Sequence, residues 1–139
     1  MTTHPLDIVI DECHPRTRLR PDIGVLTLWV GQACAAPSLS SLEEVVERAT
    51  GWMANLDIAD PAEAMRDEYD RAVLAHPGMT LDQDRPTDAQ RAAALVEELG
   101  EAARALTCYQ DHAGDLSTEL ARLAAMAAAW ATRFVVVRS

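Results

Sequence analysis

Two long segments in the second half of the chain repeat apolar residues at alternating steps of three and four, and only a short break separates them. The first opens with a Thr87/Gln90 capping box and continues through Ala92, Leu95, Leu99, Ala102, Leu106 and Tyr109. The second runs through Leu116, Leu120, Leu123, Ala127, Trp130, Phe134 and Val137, after Ala113-Gly114 breaks the pattern and Asp115 restarts it. Helices of about 23–25 residues, ~35 Å long at ~1.5 Å per residue, must fold back on one another across so short a break. An antiparallel hairpin over residues 87–137 is the expectation from which the rest of the chain is read.

Upstream, Ser40 and Glu43 predict a capping box for a helix whose inner face is Leu42, Val45, Val46, Ala49, Trp52, Met53 and Leu56. Asp60-Pro61 opens another, with Met65, Tyr69, Ala72 and Val73 inward, and His76-Pro77-Gly78 stops it. Asp22 precedes Ile23, Leu26 and Val30 at helical spacing. Gly24, Val25, Thr27 and Gly31 fit a strand nearly as well, and helix is the reading adopted. Before it, Leu6 to Asp11 alternates loosely like a strand, and the Pro15–Pro21 stretch carries three arginines. The expected fold is all-α: an up-and-down bundle of four to five helices (residues 22–139, one domain) with an extended N-terminal arm (residues 1–21).

Composition narrows function mainly by exclusion. Twenty-two acids against twelve bases give a net charge of −10, a field that repels phosphate backbones and anionic membranes, so neither nucleic acid nor membrane is an expected partner. Every basic residue is arginine, which removes P-loop and Schiff-base lysine chemistry. The absence of lysine and the abundance of alanine point to a high-GC bacterial genome. Three widely spaced cysteines, Cys13, Cys34 and Cys108, cannot close a disulfide framework and fit a reducing cytoplasm. No secretion signal and no membrane-spanning run is read in the sequence.

The chemistry-bearing residues form few constellations. Cys108 and His112 share a helix face at a spacing of four, a two-ligand metal geometry that Cys13-His14 could complete. Adjacent residues point apart, however, so no metal and no cofactor is expected. Asp111, His112 and Asp115, like Glu97, Glu98 and Glu101, lack the spacing of an acid–base or di-iron site, and no catalytic residue is assigned. Trp29-Val30-Gly31 resembles the W-x-G turn of the small helical substrates of type VII secretion. Those proteins also carry an acid four residues after a C-terminal tyrosine, whereas Ala113 follows Tyr109 here, and the family is not carried over.

Arg16, Arg18 and Arg20 alternate, so on an extended backbone they project to one side, as a partner-binding strip or as a strip docked on the chain's own acids near Asp57 to Asp70. The last helix is apolar around more of its circumference than one hairpin partner covers, which marks Ala121, Ala125 and Ala128, with Val135 and Val136, as an interface. The resulting expectation is an acidic cytoplasmic interaction or regulatory module without catalytic activity, bound to another protein or to itself as a homodimer. Two alternatives stand beside it. One is a small-molecule binder or enzyme with a pocket lined by Trp29, Trp52, Tyr69, Tyr109 and Trp130. The other is an acidic nucleic-acid mimic built on residues 57–88.

Overall fold

The computed structural model describes residues 4–16, 20–107 and 113–135, which are helical and contain no strand. Six helices follow one another: α1 (Asp7–Ile10), α2 (Ile23–Ala35), α3 (Leu39–Asn55), α4 (Pro61–Ala75), α5 (Asp88–Thr107) and α6 (Ala113–Ala131), with a closing 3-10 turn at Thr132–Phe134. The bundle expected from the sequence is present, with one helix more than expected because part of the arm is helical.

Several local signals act as read. Asp22 Oδ1 accepts from Gly24 N at 2.7 Å, which settles residues 23–35 as helix. Asp60 Oδ1 accepts from Glu63 N at 3.0 Å, and Thr87 and Gln90 close a reciprocal box at 2.9 and 3.1 Å. The α3 cap lies two residues earlier than predicted. Ser38 and Ser41 exchange hydrogen bonds, each at 3.1 Å, so the Ser40/Glu43 reading is corrected. Trp29-Val30-Gly31 lies inside α2 and forms no turn.

The axis of the molecule is α6. It packs against α3, α4 and α5, while α2 packs against α3 and α5 and α1 touches α6. Alanine makes this crowding possible, because a methyl side chain lets neighbouring helices approach on several sides. Leu120, Leu123, Ala124, Ala127, Ala128 and Ala131 are fully buried in the core. The surplus apolar circumference read as an intermolecular surface is covered within the chain.

Both ends of α6 depart from the expected hairpin. Ala113 and Gly114, predicted to be the break, are its first residues, and the helix stops at Ala131, short of the tail. Phe134, expected on the inner stripe, lies in the 3-10 turn at 38% exposure.

The N-terminal arm is not an extended strand. Leu6 and Val9 are 0% and 1% exposed, and the turn around them is tied to α4 by Arg66 Nε to Asp7 Oδ1 and by His4 Nε2 to Asp70 Oδ1, both at 2.8 Å. Alternation over so few residues cannot separate a strand from a single helical turn whose two apolar residues face inward. Further along, Arg16 N donates to Glu47 O at 3.2 Å. A Cβ on Gly51 would stand 2.7 Å from Arg16 N, so this approach to α3 requires glycine.

Candidate functional site: a cleft between α4 and α5

Both α4 and α5 lean on α6, yet they barely touch each other. The gap between them is a cleft of about 580 Å³. Its floor is the small-residue face of α6, Ala125 and Ala129 with Met126 between them. Tyr69, Ala72 and Ala75 of α4 form one wall, and Ala94, Glu97 and Glu98 of α5 form the other. Met79, Thr80 and Leu81, from the loop joining the two helices, close one end.

That loop is held by arginines. Arg91, only 4% exposed, donates from Nε to Leu81 O at 3.0 Å and from Nη2 to Gln83 O at 2.6 Å, and pairs with Asp88 Oδ1 at 2.9 Å. Arg133 reaches the same loop at Asp82 O, Gln83 O and Asp84 Oδ1, at 3.2, 3.1 and 3.0 Å. A guanidinium suits this role because its fixed fork supplies several donors to carbonyls that would otherwise lack partners. From the α4 wall, Tyr69 Oη donates to Asp82 Oδ2 at 2.8 Å. Burial, together with that hydrogen bond, pushes the phenol up to about 12, so it stays a neutral donor.

A chain of charges crosses from α4 to α5 over the floor. Glu68 on α4 accepts from Arg71 at 2.5 Å and from Arg122 on α6 at 3.1 Å. Arg122 also pairs with Glu119 at 3.3 Å. Glu119 is hydrogen-bonded in turn to Glu98, whose carboxyl is pushed up to about 8 by burial, by that hydrogen bond and by the charge of Glu119, against the opposing pull of Arg122. Glu98 is thus held toward its protonated form beside Glu119. Oε2 of Glu98 and Oε2 of Glu119 are both sealed from solvent. The cleft thus offers an apolar floor, two engaged guanidiniums and the carboxyls of Glu97 and Glu98.

No family model, curated protein or solved structure matches the chain.

The residues singled out from the sequence are scattered. Ala121 and Ala128 are 3% and 0% exposed, so neither is an interface residue as expected; Ala125, 4% exposed, forms cleft floor instead. Val135 is partly buried against the core, and Val136 lies outside the described residues. Arg16 does not project as a free strip, and its partners are not the acids near Asp57 to Asp70. It pairs with Glu44 and Glu47 of α3, at 2.5 and 3.0 Å. Arg20 is exposed, and Arg18 lies outside the described residues.

Of the five aromatics expected to line a pocket, Tyr69 alone of those described reaches the cleft. Trp130 is buried in the core, Trp52 packs partly buried against the core, Trp29 lies under the Arg48 guanidinium at 5.6 Å, and Tyr109 is outside the described residues. Within the acid-rich segment 57–88, Glu68, Asp70, Asp84 and Asp88 each pair with a basic side chain of the same chain.

Cys108 and His112 also fall outside the described residues. Cys13 meets Glu43 and Glu47, with one ligand atom from each lying within 4.8 Å of the others, a set that could hold a divalent cation. Burial, followed by the charges of Glu43, Glu47 and Glu12, pushes the thiol up to about 12. It is thus a protonated thiol, not a reactive thiolate. Glu47 is already engaged by Arg16.

Sequence reasoning missed Arg91, Glu119 and Arg122. One signal was available: Arg91 stands four residues before Leu95 and eight before Leu99, on the apolar stripe of α5, where a charged residue needs buried partners.

Proposed function

We propose that this chain is a non-catalytic binding module that holds a small amphipathic molecule in the cleft between α4 and α5. The observation that carries the reading is the cleft: its volume of about 580 Å³ lies within the range of small-ligand sites, and its apolar floor faces a few convergent polar groups. Volume and polarity together favour the small-ligand alternative drawn from the sequence, with the expected aromatic lining replaced by alanine and methionine. Association with another protein or a second copy would need a surface other than Ala121 and Ala128, which the chain's own helices cover, and Ala125, which lies at the bottom of the cleft. The exposed apolar residues Leu28, Leu74 and Val96 are distributed over α2, α4 and α5, as single apolar side chains commonly are. Among the described residues no helix is long and apolar enough to cross a membrane. Free Cys13 and Cys34 support a reducing, cytoplasmic setting.

The test uses the neutral fluorophore N-phenyl-1-naphthylamine. Saturable fluorescence enhancement with the full chain, abolished in Ala94→Trp and in Ala72→Phe, is the expected result. Either variant fills the cleft from a partly exposed wall position. Enhancement that never saturates, or that both folded variants retain, would remove the cleft as a binding site.

A further inference from the structure

We infer that this chain pairs with a second copy of itself through the uncharged outer face that α2 and α5 form side by side, the protruding Leu28 and Val96 of each copy set into the recesses at Gly31 and Gly100 of the other. The inference is independent of the cleft, which opens on another side of α5.

Leu28 and Val96 are 68% and 55% exposed. Each is a lone apolar side chain on its own helix, yet the two helices pack together, with Cys34 Sγ donating to Ala92 O at 3.6 Å across the seam. On the solvent side of that seam, Leu28, Gly31 and Ala35 of α2 follow one another at steps of three and four. Ala93, Val96 and Gly100 of α5 repeat those steps, and all six are exposed. Helix α2 carries no charged residue along its 13 positions. The charges of α5 sit elsewhere on that helix: Arg91 is buried against the loop, Glu97 and Glu98 line the cleft, Glu101 lies a turn beyond them, and Arg104 marks the edge of the face.

The two glycines lack a reason within the described residues. Gly51 is needed because a Cβ there would meet the Arg16 backbone, whereas a Cβ on Gly31 or on Gly100 would meet nothing within 4 Å. Glycine inside a helix is less stable than alanine, so two such positions on one exposed face fit the close approach of a second molecule's helices.

Three features point to a second copy as the occupant. The face is self-complementary, since each chain brings two protruding apolar side chains and two recesses, and a two-fold axis can match both sets at once. Copies that each carry −10 repel wherever acids face acids, and across this face they meet with no carboxylate between them. The area also suffices. With 13 and 20 residues in the two helices, a rise of ~1.5 Å per residue and axes ~10 Å apart, the face covers about 500 Å² per copy, which brings the total to the lower end for a specific association.

The experiment is sedimentation equilibrium of the full chain and of Leu28→Glu, Gly31→Gln and Leu74→Glu, with helical content checked by circular dichroism. The parent chain should be a reversible dimer with a Kd on the order of 10 μM. Added salt should tighten it, because screening relieves the repulsion between two acidic copies while no ion pair is lost. Leu28→Glu sets an acid against the other copy and should weaken the dimer at least about ten-fold. Gly31→Gln fills a recess without adding charge. It should weaken the dimer by a similar factor while raising the thermal midpoint of the monomer, since its side chain gains helix propensity and its Cβ meets no neighbour. That variant keeps the test decisive if Leu28→Glu misfolds. Leu74→Glu, on α4 and 82% exposed, should leave association unchanged.

A parent chain that stays monomeric at millimolar concentration would overturn the inference. So would a dimer that both folded face variants retain, one that Leu74→Glu dissociates, or one that salt weakens.

Discussion

Toward α3, helix α6 is sealed: Leu42, Val45, Val46, Ala49 and Met53 are each at most 1% exposed. Toward α4 and α5 the same helix is the floor of a cleft of about 580 Å³. Alanine recurs on the cleft floor, at Ala125 and Ala129, as it does in the fully buried part of the helix, at Ala124, Ala127 and Ala128. What differs is the spacing of the neighbours. A helix lined with methyl groups accepts close partners on every side, and it becomes a cleft floor wherever two partners are held apart. Here the spacer is the loop from His76 to Thr87, fastened by Arg91 and Arg133, together with the Glu68–Arg122–Glu119–Glu98 chain that bridges the gap.

Loss of the spacer should have the largest effect. Arg91→Leu strands the Leu81 carbonyl, leaves the Gln83 carbonyl to Arg133 alone, and should cost about 3–5 kcal/mol, read from denaturant unfolding. Lysine should rescue only part of it, because a single ammonium cannot reproduce the fork. If Arg91→Leu proves neutral, the loop does not set the cleft.

The two sides can be compared directly with one substitution made two residues apart. Ala127→Leu, on the sealed side, should cost about 1–3 kcal/mol by overpacking. Ala125→Leu extends into the cleft and should cost less than about 1 kcal/mol while reducing ligand uptake. Equal costs would mean that the cleft is closed in solution.

A smaller effect is expected at the arm. Alanine in a helix normally gains stability over glycine, yet Gly51→Ala should lose about 1–2 kcal/mol because its Cβ meets the Arg16 backbone. A stabilised Gly51→Ala would show that the arm is not seated on α3.

The pH dependence of stability reads the carboxyl groups on either side of the comparison. Glu98 binds its proton more tightly in the folded chain, with a pKa of about 8 against an ordinary 4.5. Its contribution is therefore fully present below the ordinary value and is lost as pH rises toward about 8. Glu98→Gln should flatten that decline. Asp7 acts in the opposite direction: the hydrogen bond from Arg66 holds its carboxyl below the ordinary 3.8, so its stabilisation is present above that value and lost below it. Arg66→Ala should remove this acid-side loss.

The sequence made the helices legible because their signals are local. Capping by Asp22, Asp60 and Thr87, and the stripe on α3, depend on residues within a turn or two of each other. The surroundings of each helix were not legible. The α6 pattern showed surplus apolar surface correctly, but whether α4 or a second molecule covers it depends on contacts distant in sequence. Leu6 and Val9 looked like a strand because four residues carry too little periodicity. Glu98 and Glu119 stand 21 residues apart on two helices, so their hydrogen bond requires a register that the apolar stripe alone does not specify.

The central claim, that α6 is sealed on one side and open to ligand on the other, is tested most directly by methyl NMR of methionine during titration with N-phenyl-1-naphthylamine. Met79 and Met126 line the cleft, whereas Met53 and Met65 are 0% and 1% exposed in the core. The account predicts saturable shifts of the Met79 and Met126 methyl signals with Met53 and Met65 stationary. Movement of all four together, or of none at saturating probe, would contradict it.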